Sequence, residues 1–359
     1  MATDAPIAAG DLLAVTGANG FVGAHVVAAG LRHGLRVRAI VRDADEPAKR
    51  APIERMLELL GVPDEGRLSY ASGDLLTPGS YDDAIAGTDA VAHVAAVARL
   101  DAPDPQRQIV DPSLRGVENV YAAARKAGTV RRVAHTSSVA AVMRVGDARR
   151  GHTFGAADWN TESTLERDPY GFAKAAAERR AWELVRGLPE DERFGLVVLN
   201  PAVVLGRVAT KAQIRSSPVL LRDLLVGRYP ACPPLHIGMV DAEDVAEAHI
   251  QALLQPAAQG RYILCAEQGW LRDLAVRIAT LYPQYRVPTG QLPVLALKAL
   301  AKLGKGVSAS TADMAGVEIR YDASRSRDEL GLRYTALDET VRRTVDTLID
   351  GGWARPKVR

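Results

Sequence analysis

The chain of 359 residues has two cysteines, Cys232 and Cys265, and neither sits in a metal-ligand or redox spacing. That excludes a disulfide framework and a zinc module, and it fits a reducing compartment. An excess of one charge is missing too. Lys and Arg number 45 against 43 Asp and Glu, a net charge of +2, and the basic residues are scattered. No basic stripe advertises a nucleic-acid partner. Long apolar runs are absent: the longest membrane-like stretch, Leu292 to Leu303, contains Pro293, Lys298 and Lys302. It is far too short to span a bilayer. The opening Met-Ala-Thr-Asp-Ala-Pro lacks the basic and apolar regions of a signal peptide. There is no internal repeat and no low-complexity tract. The expectation is a soluble, cytoplasmic protein of two domains or one large one, with neither membrane nor nucleic acid as partner.

What is present begins with Leu12-Leu-Ala-Val-Thr16, an apolar run met at once by Gly17-Ala-Asn19-Gly20-Phe21-Val22-Gly23. A helix-compatible segment to Leu31 and a second apolar run, Val37 to Val41, follow. Strand, glycine turn, helix and strand in about thirty residues is the setting that a dinucleotide fingerprint requires. The glycines permit a tight turn and a close backbone approach to pyrophosphate, which then sits on the helix N-terminus. Arg42, Asp43, Lys49 and Arg50 come next. An acidic residue at this strand end reads the ribose diol of NAD, whereas an arginine accommodates the 2′-phosphate of NADP. Arg42 stands first and Lys49 can reinforce it, which favours NADP(H); Asp43 keeps NAD(H) open. As solvated loop charges, the four would express no preference.

Alternation continues through a strand at Leu68–Leu75, a helix at Tyr81–Ala86 and a buried strand at Ala90–Ala96. Asp111-Pro112 signals an N-cap and first helical residue, opening a helix to Ala127 that stops at Gly128. Val130–Ser138 is a strand whose end carries hydroxyls, Met143–Arg167 a loop, and Phe194–Pro201 another strand. Between the last two, Asp168-Pro169 repeats the helix-start signal before an Ala-rich run. On that helix Tyr170 and Lys174 are four apart and share a face. A phenol beside an ammonium suits proton transfer, although a free tyrosine titrates at about 10. Service near neutrality calls for roughly 3–4 kcal/mol of preferential phenolate stabilisation, which a nearby cation can help supply. Tyr-x-x-x-Lys alone is a weak pattern that surface helices also produce. Here Gly17, Asp74, Ala96, Ser138 and Asn200 all fall at strand C-terminal ends, where a doubly wound sheet binds its ligands.

Taken together, Thr16–Gly23, Gly73-Asp74-Leu75, Thr136-Ser137-Ser138, Tyr170-x-x-x-Lys174 and Asn200-Pro201 resemble the extended short-chain dehydrogenase/reductase family over essentially the whole chain. Val37–Asp43, His93–Ala96, Asp158-Trp159-Asn160, Glu178-x-x-Ala181-Trp182 and Val240–His249 are similar to its branch of dihydroflavonol, cinnamoyl-CoA and microbial aldehyde or ketone reductases. The implied fold is α/β: a Rossmann-type doubly wound parallel sheet with a smaller mixed α/β C-terminal substrate domain. Residues 1–200 and about 236–258 would form the first, about 201–235 and 259–359 the second. The resemblance makes Tyr170 the acid/base, Lys174 the holder of the nicotinamide ribose and the source of the tyrosine's lowered pKa, and Ser138 the donor to the carbonyl oxygen. Thr136 and Ser137 are runners-up that could serve strand-end backbone groups instead. It places Gly17, Asn19, Gly20, Phe21, Val22 and Gly23 along the pyrophosphate, Arg42 and Lys49 at the 2′-phosphate, and Asp74 and Leu75 at the adenine. Val94, Ala95 and Ala96 would follow the ribose and nicotinamide, with Asn200, Pro201 and Val203 nearby.

The implied activity is NADPH-dependent reduction of a small-molecule carbonyl to the alcohol, without a metal, in a monomer or homodimer. The rivals are a nucleotide-sugar epimerase or dehydratase and a non-catalytic NADP sensor. Thr136-Ser137-Ser138-Val139 lacks the Asp-Glu pair of the sugar dehydratases, and a sensor has no need of Tyr170 and Lys174. Ser113 stands where many members carry an asparagine, which puts a proton relay through that helix in doubt. His93 and His249 read as packed histidines rather than catalysts. The substrate would be chosen by the loops 97–110, 144–167 and 203–234 and by the segment 291–304, and Arg149-Arg150 could meet an anionic substrate such as a CoA ester or be solvated.

Overall fold

The apolar runs of the first two thirds of the chain pair side by side because a helix returns the chain after almost every one. In order they form β1 (Leu12–Thr16), α1 (Phe21–Arg32), β2 (Arg36–Val41), α2 (Pro47–Leu60), β3 (Leu68–Ser72), α3 (Asp82–Ile85) and β4 (Ala90–His93). Next come α4 (Asp111–Ala127), β5 (Arg132–Thr136), α5 (Val145–Arg149), β6 (Thr153–Phe154), α6 (Pro169–Arg186) and β7 (Gly195–Pro201). The chain continues through β8 (Val203–Leu205), α7 (Ser217–Leu225), β9 (His236–Asp241), α8 (Ala242–Leu254), β10 (Gly260–Leu264) and β11 (Glu267–Trp270). It closes with α9 (Leu271–Leu281), α10 (Val294–Lys302), α11 (Ala309–Met314), β12 (Arg320–Tyr321), α12 (Ser324–Asp328) and α13 (Leu337–Asp350). This computed structural model describes residues 4–97, 102–215, 217–304 and 306–358.

Seven strands make one parallel sheet in the order β3-β2-β1-β4-β5-β7-β10. The order reverses between β1 and β4, the switch point at which such sheets open a crevice. Register brings the strand ends level: Thr16 is opposite Ile40 and His93, His93 opposite His135, and Thr136 opposite Leu199. Every residue of β1 and β4 is buried, as expected for central strands covered on both faces. Val26, Val27 and Ala28 of α1 and Val245 and Ala246 of α8 pack one face. Val117 and Val120 of α4 and Ala177 and Ala181 of α6 pack the other. A separate core joins α7, α9 and α13 beside the small sheet β11-β9-β8.

Several local expectations are revised. β10, grouped in the sequence with residues 259–359, hydrogen-bonds β7 as the edge of the main sheet. Lys49 and Arg50 lie in α2 rather than in a loop, because Pro47 starts a helix there. Asp111 is no N-cap: a π turn, Gln106–Val110, runs into α4, and Asp111 Oδ1 accepts Gln106 Nε2 at 2.5 Å. The loop from 143 to 167 contains α5 and β6, the latter paired with β12 far along the chain. Within the expected substrate loop 97–110, residues 98–101 lie outside the described residues, as does Ser216 in the loop 203–234.

Candidate active site

At the switch point Thr16 Oγ1 accepts the amides of Val94 and Ala95, both at 3.1 Å, and meets His93 Nδ1 at 2.9 Å. The chain must then turn hard against β4. Gly17 has φ +65°, and a Cβ there would lie 2.7 Å from Ala95 Cα, so only glycine fits. A Cβ on Gly23 would overlap the Gly17 carbonyl oxygen. Gly20 N donates to that oxygen at 2.9 Å, and Gly20 caps α1 without a side-chain acceptor. The amides of Phe21 and Val22 therefore begin a helix with no internal partner, a cradle that fits pyrophosphate. Gln213, buried in the loop after β8, donates through Nε2 to Gly20 O at 3.3 Å and Asn19 O at 3.5 Å. Its Oε1 accepts Ala209 N and Thr210 N. The sequence carried no signal for this tie.

The four charges after β2 separate by partner. Arg42 is 81% exposed, with Nε 3.5 Å from Asp74 Oδ2. Asp43 Oδ1 accepts Asp45 N and Glu46 N, so its carboxylate is spent on its own turn. Lys49 pairs with Glu46 at 3.3 Å, and the Arg50 guanidinium sits 5.6 Å from the Tyr70 ring centroid. Leu75 is clamped against α4: its carbonyl accepts Asn119 Nδ2 at 2.6 Å, and its side chain fills the space that a Cβ on Gly116 would need.

α6 starts as its sequence predicts, with Pro169 in its first turn and Asp168 accepting Gly171 N at 3.2 Å. Tyr170 and Lys174 are half-buried, and Lys174 Nζ lies 6.0 Å from the Tyr170 ring centroid. Ser138 caps the 3₁₀ turn Val139–Ala141 by accepting Ala140 N at 3.1 Å. Buried Asn160 links this turn to α6. Its Nδ2 donates to Ala140 O and to Ser163 Oγ, and Ser163 in turn donates to Asp168 Oδ2 at 2.6 Å.

Beneath this lies a network that sequence reading did not assemble. Glu178, one turn beyond Lys174 and fully buried, accepts Ser137 Oγ at 2.5 Å, Asn200 Nδ2 at 2.8 Å and Arg261 Nε at 2.5 Å. Asn200 Nδ2 also donates to Ser138 O at 3.2 Å. Arg261 lies 3.9 Å from the Trp159 ring centroid and donates to the carbonyls of Ala156 and Asp158. Asn200 is thus turned into the network, while Pro201 pairs with Leu264 and Val203 with Met239 at the strand edges. In the sequence Glu178 and Trp159 stand out only as members of a motif, and Arg261 carries no signal. A small cavity of about 20 Å³ brings together Leu75, Ala95, Ala96, Gly116, Ser137 and Lys174.

The surrounding imidazoles are neutral. Burial, aided by the Lys174 charge, pushes His93 down to about 3, and burial pushes His249 down to about 4 and His135 well below its ordinary value. His249 holds Thr136 Oγ1 at 2.6 Å and Val245 O at 2.7 Å; His135 meets the Tyr121 hydroxyl at 3.1 Å. Ser113 Oγ donates to Ile109 O at 2.6 Å within its own helix. Arg149 donates to Asp313 O, and Arg150 pairs with Asp147.

The model of the NAD dependent epimerase/dehydratase family matches residues 13–265. A cinnamoyl-CoA reductase of Medicago truncatula is 29% identical over 345 residues, 94% of this chain and 96% of its own. An anthocyanidin reductase of Vitis vinifera is 31% identical over 339 residues, 90% of this chain and 96% of its own. Among solved structures, the yeast methylglyoxal/isovaleraldehyde reductase complexed with NADPH superposes with a TM-score of 0.75 at 24% identity, covering 95% of this chain and 99% of its own. The chain belongs to the NAD dependent epimerase/dehydratase family, as its resemblance to the extended short-chain dehydrogenase/reductases implies.

Proposed function

We propose that this protein is an NADPH-dependent carbonyl reductase, interconverting a C=O and a CH–OH group of a small molecule. One observation carries the reading. Thr136 and Ser137 give their hydroxyls to His249 and Glu178, whereas the Ser138 hydroxyl accepts one amide and has no acceptor for its own proton among the described residues. It does so on a turn tied to the helix that carries Tyr170 and Lys174. The amides of Phe21 and Val22 hold the pyrophosphate, and Ala95 and Ala96 line the nicotinamide ribose. Arg42 meets the 2′-phosphate, a preference supported by the engagement of Asp43 with its own turn. Bound NADPH supplies the hydride. Ser138 donates to the carbonyl oxygen where negative charge develops, already oriented by its cap. Tyr170 delivers its proton to that oxygen, and Lys174 positions the ribose beside it. The named relatives are reductases, which favours redox chemistry over sugar epimerisation.

The test is NADPH oxidation with aldehydes, α-ketoesters, aryl ketones, flavonoids and acyl-CoA esters. Turnover of at least one class, with NADPH preferred to NADH, is the expected result. No oxidation of NADPH across the panel, with inversion of a nucleotide sugar instead, would replace the proposal with the epimerase.

A further inference from the structure

Beside the edge strand β10 a cleft of about 530 Å³ is lined by Trp159, Trp182, Arg179, Arg186, Arg261 and Arg325, a size ordinary for small-molecule sites. It lies away from the strand ends: Gly260 and Arg261, in its wall, pair with Val197 and Val198, upstream of Asn200. No carboxylate lines it. Two of its four cations are matched, Arg261 by buried Glu178 and Arg325 by Glu329. The other two are not. Arg179 donates to Asn160 O at 3.2 Å and lies 5.1 Å from the Trp159 ring centroid, and the Arg186 guanidinium has no ion pair or hydrogen bond among the described residues. Glu183, between them on α6, turns to Arg180 at 3.6 Å. Residues 179, 182 and 186 share one helix face. Trp182, between the two arginines on that face, contributes its indole to the lining.

We propose that this cleft binds a planar anion, an aromatic ring bearing a phosphate monoester, at a site separate from cofactor and substrate. The ring packs on the indoles, and the phosphate takes the guanidinium forks of Arg179 and Arg186. Arginine rather than lysine at both positions suits planar, bidentate recognition.

The probe is 1-naphthyl phosphate, titrated calorimetrically into the full chain saturated with NADP⁺, so that the cofactor's phosphate sites are filled. Binding of one equivalent with a Kd below about 1 mM is expected. The double variant Arg179→Ala/Arg186→Ala, both side chains being exposed, should keep the thermal midpoint and weaken binding at least tenfold. Trp182→Ala, which removes the indole on which the ring packs, should weaken it several-fold. Arg228→Ala, at another surface arginine, should leave it unchanged. Absence of binding, or equal affinity in the double arginine variant, overturns the proposal. Inorganic phosphate or 1-naphthol binding as tightly as the ester would overturn it as well, since either would show that ring and charge are not read together.

Discussion

At the residue scale, three adjacent hydroxyls at the end of β5 do different work, and the proposal turns on the difference. Ser138→Ala should lower kcat by roughly 10²-fold or more, the loss expected for one preorganised donor. Ser137→Ala removes a partner of buried Glu178 and should appear mainly as a lower thermal midpoint. Tyr170→Phe removes one oxygen from a half-buried ring, so fold and NADPH binding should survive while kcat drops by roughly 10²–10⁴-fold. Lys174→Met should damage both kcat and cofactor affinity. These losses will be far from additive. A Tyr170→Phe enzyme within a few-fold of wild type would make the constellation merely structural. On the proposed reading cofactor choice rests mainly on Arg42, which is 81% exposed, whereas Lys49 is held by Glu46 and Asp43 by its own turn. NADPH should bind at least tenfold tighter than NADH, about 1.4 kcal/mol. Arg42→Ala should erase most of that margin in a titration of both nucleotides, and Lys49→Ala much less. Equal wild-type affinities would sink the assignment.

At the scale of elements, the Ser138 turn is tied to the start of α6, the helix that carries Tyr170. Asp168 accepts both the Gly171 amide and the Ser163 hydroxyl, and a Cβ on Gly171 would overlap the Asp168 carboxylate. Gly171→Ala should therefore disrupt the cap, worth about 1 kcal/mol, and lower the melting temperature and kcat together. Asn160→Ala cuts the one side-chain hydrogen-bonded link, among the described residues, between the Ser138 turn and that cap, so its kcat loss should exceed its loss of stability. Melting curves and steady-state kinetics on the two variants separate these outcomes. α6 was readable from Asp168-Pro169 because capping is chemistry between near neighbours. The same signal at Asp111-Pro112 misled, because a π turn from the preceding loop supplies the helix start there.

At the scale of the whole molecule, burial of His93, His135 and His249 under both layers makes stability depend on pH. Unfolded histidine titrates at about 6.5. The folded values are lower, about 3 for His93 and about 4 for His249, with His135 also well depressed. Between about pH 6.5 and 4 the unfolded chain binds protons that the native chain refuses, so stability falls as pH falls. Asp244 opposes this. Burial raises it to about 6, so it takes up its proton in the native state first and adds stability on the way down. Histidine losses outnumber that gain. The thermal midpoint should decline from pH 6.5 to 5, above the range in which ordinary carboxylates titrate. His249→Asn should flatten the decline, and a midpoint constant over that range would contradict the argument.

The glycine turn, the strand–helix alternation and the Tyr170/Lys174 face were all legible in the sequence, because each is set by neighbours within a few positions. Steric need for glycine at Gly17, cap chemistry at Asp168 and helical spacing from 170 to 174 are local facts. The resemblance put Ser138 ahead of Thr136 and Ser137, but the partners of those two, side chains rather than strand-end backbone groups, were not legible in the sequence. Their roles follow from His249 on α8, and from Glu178 on α6 held by Arg261 on β10, groups 113, 41 and 83 residues removed along the chain from their partners. The placement of β10 in the main sheet, and the turning inward of Asn200, were likewise decided by the tertiary structure. A buried carboxylate must be fully hydrogen-bonded wherever its partners come from, and the sequence names the partners without saying which of them meet.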